Sequence, residues 1–323
     1  MSMRPEFLDA RVSVIIPTRN NMDTLPATLS SVGLQQMTGV EIIIIDDGST
    51  DGTREWLAEM VRETPAMRVL HTDSLGPSGA RNEGISIASA PIIAFIDSDD
   101  TWARGKLRFQ VEYMERNPHI GFTFTDYRHV SPAGEDRGTC FEYWNSPFRR
   151  QPPTHFFELE NAESLLLGCN LVGTSTVAVR KELLQNANGF ATELTSAEDW
   201  DLWLRLAQLA PVAATSMIST LYLMRPGSVT SRSADRIVAM EFIVSRYAER
   251  PEPQMREAMR KVRARLHRAR AEMRRAEAAY TAAATSEIRA MFADPDRQKL
   301  KAVAGDVMRS LKAARSAFQP TSP

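Results

Sequence analysis

Cysteine is nearly missing. The chain has two, Cys140 and Cys169, in 323 residues. They form no CxxC and are too few for a disulfide framework, which fits a reducing compartment. Long hydrophobic runs are missing too. The apolar stretches are strand-sized, short of the ~20 residues that a membrane helix needs. The N-terminal MSMRPEFLDARV lacks the apolar core of a signal peptide. The expectation is a cytoplasmic chain, at most peripheral to the inner face of a membrane. The five histidines (71, 119, 129, 155 and 267) are scattered, which argues against a histidine-built zinc site. Neither GxGxxG nor GxxxxGK[ST] occurs, since the glycines around LGPSGARN (75–82) fall at 76, 79 and 84. This removes the dinucleotide fingerprint and the P-loop. Repeats and low-complexity tracts are also lacking.

The formal net charge of −1 conceals a split. Residues 1–231 hold 19 Lys or Arg against 29 Asp or Glu, whereas residues 232–323 hold 20 against 11. Such a shift marks a boundary between parts with different work.

In the first part, buried-strand runs alternate with amphipathic segments. RVSVII (11–16), EIIII (41–45), Met67–Leu70 and Pro91–Ile96 read as strands. Asp23–Gln36, with Asp23 as N-cap, Thr53–Arg62, Ser78–Ala88 and Lys106–Arg116 read as helices. This is an α/β layer with a mainly parallel sheet, and ligands on such sheets bind beyond the carboxyl ends of the strands. Further on, Ile120–Val130 and Thr174–Val179 read as strands, 131–160 as a long excursion, Glu198–Ala210 as a helix and Val212–Met224 as extended. Beyond Ser233, prolines 251, 253 and 295 divide the chain into three helices. The middle one carries a heptad stripe from Met255 to Tyr280 flanked by arginines. The stripe suits an intramolecular hairpin and leaves room for a homo-oligomer. The arginines suit a solvated face, anionic lipid or an acidic partner. They are not interleaved with aromatics, so no nucleic-acid partner is expected.

Negative charge collects at the strand ends. Asp97-Ser98-Asp99 suits a divalent cation, Mn²⁺ or Mg²⁺, which takes one or two carboxylates together with substrate phosphates. Alone, the same triplet also suits a solvated turn that caps the next helix. DDGSTDG (46–52) mimics the first half of an EF-hand, but Ala58 stands where the last ligand should be. GPSGARN places Arg81 at a helix start, a good position for an anion.

SVIIPTRN (13–20), IIIIDDGSTDGT (42–53), GPSGARNEGI (76–85), FIDSDD (95–100) and AEDWDLWLRLA (197–207) stand in one order and spacing. Through them the chain resembles the family 2 glycosyltransferases over roughly residues 11–231. The resemblance implies a GT-A fold, α/β with a mainly parallel central sheet flanked by helices, here followed by a C-terminal all-helical extension. The domain would cover 1–231, with a nucleotide-binding half at about 11–130 and an acceptor half at about 131–231. Residues 232–323 would form the helical region.

The resemblance further implies that Pro17, Thr18, Arg19 and Asp47 hold the nucleoside and that Arg81 reaches the nucleotide or its phosphates. Asp97 and the adjoining Ser98 would lie near the ribose, and Asp99 would ligate the metal, with Asp100 left without a defined role. Asp199 would be the general base, with Glu198 orienting it. For Asp199 the alternative is a carboxylate favoured by the helix dipole. Trp200 and Trp203 could floor an acceptor sugar or pack in the core, and Asp201 should face away. One displacement without a second nucleophile implies inversion. Arg225 stands where relatives often carry histidine; a guanidinium can also bind diphosphate. QxxRW is absent, which disfavours a processive synthase. The expected activity is transfer of a hexose or N-acetylhexosamine from a nucleotide sugar, UDP-linked, to a glycan or lipid-linked glycan in surface polysaccharide synthesis. The alternatives are a non-catalytic scaffold acting through the helical tail and a sugar-1-phosphate nucleotidyltransferase.

Overall fold

The β-branched runs become the centre of a ten-stranded mixed sheet in a computed structural model that describes residues 9–225, 233–295 and 297–317. Strands β1 (Val12–Thr18), β2 (Val40–Asp47), β3 (Met67–Thr72) and β4 (Ile92–Phe95) form its parallel half. Helices α1 (Leu25–Gly33), α2 (Thr53–Glu63) and α3 (Gly76–Ile87) connect them. Short β5 (Thr101–Trp102) leads to α4 (Lys106–Arg116), β6 (Phe122–Val130) and β7 (Asp136–Thr139). The excursion holds α5 (Cys140–Tyr143), a 3-10 turn at Pro147–Arg150 and β8 (Phe157–Glu158). Then come α6 (Ala162–Gly168), a 3-10 turn at Thr174–Thr176, β9 (Ala178–Arg180), α7 (Lys181–Asn186), α8 (Glu198–Leu209) and β10 (Val212–Leu223).

The sheet order is β3-β2-β1-β4-β9-β6-β10-β5. Its longest ladders, β6 with β10 and β1 with β2, are parallel, and the antiparallel ones are short. The first layer closes over Val14, Ile16, Ile44, Ile92, Ala94 and Leu107. Gly84 lets α3 approach β1, because a β-carbon there would stand 2.5 Å from Ile15 Cγ2. One charge is sealed inside: Lys106 is fully buried, donates to Gln110 Oε1 (2.7 Å) and lies 4.1 Å over the Trp102 ring. Burial pushes its ammonium well below the usual lysine range.

Two expectations change here. Thr174–Val179 is not one strand: Thr174–Thr176 is a 3-10 turn, and pairing starts at Ala178. The helical region has four helices rather than three: α9 (Ser233–Ser245), α10 (Pro253–Ala276), α11 (Tyr280–Ala293) and α12 (Arg297–Ala317). The added break falls at Glu277–Ala279, where Ala278 adopts φ 57° without proline or glycine. The predicted stripe therefore ends early.

The chain divides into two compact units. One contains Met1–Leu166, Asn170–Leu194 and Glu198–Pro226; the other contains Leu167–Cys169, Thr195–Ala197 and Gly227–Pro323. Within the second, Met255, Met259, Val262, Leu266 and Ala269 are the buried stripe of α10, which packs with α9 and α11. A network around two buried carboxylates ties three helices together. Arg275 donates to Glu287 Oε1 (2.5 Å) and Asp306 Oδ2 (2.8 Å), and Arg309 donates to Asp306 Oδ1 (2.6 Å).

Candidate active site

Parallel register brings the motif residues to one rim. Thr18 lies level with Asp46, and Ile15 with Phe95, so the chain leaves β1, β2 and β4 at the same edge. Among the described residues, buried Thr18 Oγ1 finds no hydrogen-bond partner, and neither does Arg81 Nε. An orphaned buried polar atom costs about 1–3 kcal/mol, so two such atoms at one rim are suited to a polar ligand. Pro17 is half-buried and Arg19 exposed beside them.

Asp47, which the resemblance assigns to the nucleoside, is buried and already bonded within the rim. It accepts from Thr72 Oγ1 (2.8 Å) and from the backbone N–H groups of Leu75 (2.7 Å) and Gly76 (2.8 Å). It therefore fixes the start of α3, and Gly48 permits the turn at φ 79°. Asp46 is buried as well. Burial works to raise its pKa, but hydrogen bonds from Ser49 and His71 hold it below the usual carboxylate range.

The FIDSDD carboxylates have separate surroundings. Asp97 Oδ1 accepts from Arg81 Nη2 at 2.7 Å, and its backbone N–H donates to Ser175 Oγ at 3.0 Å. Ser98 is buried and accepts from Asn21 Nδ2 at 2.6 Å. Asp100 is an internal brace, accepting from Ser175 Oγ (2.5 Å) and Leu223 N–H (3.1 Å). Burial, with the charges of Asp97 and Asp99, raises it well above the carboxylate range. Asp99 is half-exposed and raised to about 6 by burial and by Asp97, against the pull of Arg225, whose Nε lies 4.0 Å away. Arg225 also donates to Asn21 Oδ1 (3.1 Å) and Asp23 Oδ2 (2.7 Å), so Asp23 pairs with it rather than capping α1. The turn that should follow, Pro226-Gly227-Ser228, lies outside the described residues.

These residues suit a divalent cation that arrives with a ligand. Burial and the neighbouring Asp97 charge disfavour the ionised form of Asp99, and a dication would relieve both. Among the described residues, no group of three or more His, Cys, Asp or Glu is placed to hold a metal unaided.

Arg81 joins this cluster to α8. Its Nη1 donates to Glu198 Oε1 at 3.1 Å, and the guanidinium lies 5.2 Å from the Phe190 ring centroid. Burial opposes its charge, but Asp97, Glu198 and Asp199 hold it protonated. Asp199 accepts from Thr174 Oγ1 (3.2 Å) and Trp200 N–H (2.6 Å). Burial first, and the Glu198 charge second, push it up to about 6, with Arg81 opposing. A carboxylate titrating there is a competent base near neutrality.

The tryptophans do not form an acceptor floor. Trp203 is fully buried against Phe95, Phe122 and Phe190, and buried Trp200 donates from Nε1 to Leu166 O at 2.9 Å. They stand three apart on one helix face, and that face is the core side. Asp201 does face away from the site, accepting from Arg205 Nε at 2.8 Å. Motif reading misses Thr174 and Ser175, which hold Asp199 on one side and Asp97 and Asp100 on the other. Their signal is the small polar run GTST (173–176), read above as part of a strand.

Comparison with known proteins agrees with this rim. Residues 13–165 match the glycosyl transferase family 2 model. Among curated relatives are uncharacterised glycosyltransferases of Rickettsia, 33–38% identical, of which the chain covers 30% or less of the length. Another is the Escherichia coli UDP-Glc:alpha-D-GlcNAc-diphosphoundecaprenol beta-1,3-glucosyltransferase WfgD, 28% identical over 75% of this chain and 88% of that protein. Among solved structures, S. aureus TarS 1–349 in complex with UDP-GlcNAc superposes with TM-score 0.64 at 19% identity, covering 97% of this chain and 93% of that one. The mannosyltransferase PcManGT from Pyrobaculum calidifontis, in complex with GDP-Man and Mn²⁺, gives 0.63 at 19% identity, covering 96% and 81%. The structures share the fold, the motifs supply the rim, and residues 13–165 are a glycosyl transferase family 2 region on a GT-A fold.

Proposed function

We propose that the chain is an inverting, metal-dependent glycosyltransferase. It moves a hexose or N-acetylhexosamine from a UDP-linked donor to a hydroxyl of a lipid-linked or other glycan acceptor in surface polysaccharide synthesis. The observation that carries this reading is the joining of two carboxylate groups by one buried guanidinium: Asp97 and Glu198 share Arg81, with Asp99 and Asp199 on either side. The names of WfgD and TarS motivate the UDP donor and the lipid-linked acceptor.

In this scheme the orphaned Thr18 hydroxyl and the half-buried Pro17 meet the nucleoside. Arg19 and Arg225 add positive charge around the diphosphate. Asp99, with Asp97 beside it, would hold a divalent cation, which neutralises charge on the diphosphate. Asp199 takes the proton of the acceptor hydroxyl as its oxygen bonds the anomeric carbon and the bond to the diphosphate oxygen breaks. The proton remains on the Asp199 carboxyl, and a single displacement inverts the centre. Glu198 keeps Arg81 beside the base. No described helix is long and apolar enough to cross a membrane, so a lipid-linked acceptor would be met at the bilayer surface. Residues 1–231 would do this chemistry, and the helical region would serve peripheral docking or self-association.

The test is transfer from UDP-Glc, UDP-GlcNAc and GDP-Man to diphosphoundecaprenol-linked GlcNAc, with Mn²⁺ or with EDTA. Mass spectrometry detects the product and NMR gives its anomeric configuration. The expected result is Mn²⁺-dependent transfer with inversion, lost in Asp99→Ala. Neither transfer nor Mn²⁺-stimulated hydrolysis of any donor would overturn the reading.

A further inference from the structure

With Trp200 and Trp203 in the core, another aromatic surface stands beside the base. β6 and β10 run parallel, with His129 level with Tyr222 and Tyr127 level with Thr220. Tyr127 and His129 are two apart on β6 and so share a face. Ring contacts put Tyr222 with them: centroids are 5.0 Å apart for Tyr127–His129, 5.8 Å for Tyr127–Tyr222 and 5.6 Å for His129–Tyr222. All three rings are half-buried, whereas Phe122 and Phe124, earlier on β6, are fully buried.

The cluster is tied to both halves of the site. The Tyr127 ring packs on Gly173, where a β-carbon would come within 3.0 Å of Cε1, and the next residue, Thr174, donates to Asp199. On the other side, Leu223, which follows Tyr222, donates its N–H to Asp100. Through Gly173 and Leu223 the cluster thus adjoins a residue bonded to Asp199 and a residue bonded to Asp100, which suits a group that meets the acceptor beside the base.

We propose that Tyr127, His129 and Tyr222 form the platform on which the pyranose ring of the acceptor stacks through its C–H face. The proposal rests on the glycosyltransferase reading and assigns its acceptor subsite. Two neighbouring properties suit an uncharged sugar. Burial above all, then the Cys140 thiol, Tyr222 and Asp199, push the Tyr127 phenol well above its usual range, so it stays protonated as a donor. Burial pushes His129 below its usual range, so it is neutral.

Steady-state transfer kinetics of Tyr222→Ala, His129→Ala and Tyr222→Trp test this. The alanine variants should raise the acceptor KM about tenfold, the worth of one aromatic contact. The donor KM and acceptor-independent donor hydrolysis should stay at the wild-type level, and Tyr222→Trp should restore the acceptor KM. An unchanged acceptor KM in both alanine variants, or equal loss for donor and acceptor, overturns the platform while leaving the transferase reading intact. A wild-type enzyme that turns over no donor overturns both. Binding gives a readout free of turnover: the methyl glycosides of N-acetylglucosamine, glucose and galactose, added with UDP and Mn²⁺, should perturb the His129 ring resonances. No perturbation by any of the three counts against the platform.

Discussion

Two arginines, Arg81 buried and Arg275 half-buried, divide their charge among carboxylates in this molecule, and only the first sits among the motif residues. Arg81 holds Asp97 and Glu198; Arg275 holds Glu287 and Asp306. In the helical unit the charge account closes, although Glu287 Oε2 finds no hydrogen-bond partner among the described residues. Arg309 joins, and hydrogen bonds from Arg275 and Arg309 override burial to keep Asp306 below the usual carboxylate range. At the sheet rim it does not close. Asp99 and Asp199 remain beyond what Arg81 and Arg225 can neutralise, and both are raised to about 6. Buried ion pairs by themselves are weak evidence of function or of stability. Surplus charge of one sign, held beside a cleft by fixed neighbours, is what points to a missing ligand.

Breaking each network should separate the two roles. The largest effect is expected for Asp199→Asn, a loss of about 10²- to 10⁴-fold in kcat with a melting temperature no lower than that of the wild type, read by transfer assay and thermal unfolding. Arg81→Met leaves Asp97 and Glu198 without their partner and should cost about 3–5 kcal/mol of stability, roughly 10 °C in Tm, along with activity. Arg275→Met should cost up to the same amount, because Arg309 still serves Asp306 but buried Glu287 loses its partner, and should leave kcat unchanged. Equal activity losses from the two arginine variants would erase the distinction.

The pH responses should also differ. As the proposed base, Asp199 would have to be ionised to act, so kcat/KM should rise about tenfold per unit up to pH about 6 and then level off. Because its pKa is raised on folding, the stability contribution of this group is present at low pH and lost as pH rises from about 4 to 6. Asp306 has the opposite sign: its contribution is present above the unfolded carboxylate value and lost as pH falls below it. The smallest effect is expected for Thr174→Val. Loss of one hydrogen bond to the ionised base should move the acidic limb upward by at most about one unit, and Thr174→Ser should restore it. A purely structural role for Thr174 would leave the limb in place.

Much of the rim is legible in the sequence because periodicity and strand-end position are local properties. Lys106–Arg116 is a helix with the expected bounds, and the strand ends of β1, β2 and β4 meet as their parallel order requires. What the sequence does not reveal is which way a competent side chain spends its bonds. Asp47 has the right chemistry for an imide N–H, yet the free N–H groups at the start of α3 claim it. Trp200 and Trp203 have the right chemistry for a sugar face, yet α8 needs them for its buried side. The break at Ala278 carries no proline or glycine signal at all.

Lys106 gives the sheet-bearing unit a built-in clock. Its amine is sealed under Trp102, bonded to Gln110 and absent from the surface. An amine-reactive reagent can reach it only when this part of the sheet opens, and each 1.4 kcal/mol of opening free energy slows that reaction tenfold. Counting mass additions at this one lysine over time would therefore report how often the layer around α4 comes apart, residue-specifically and without denaturant.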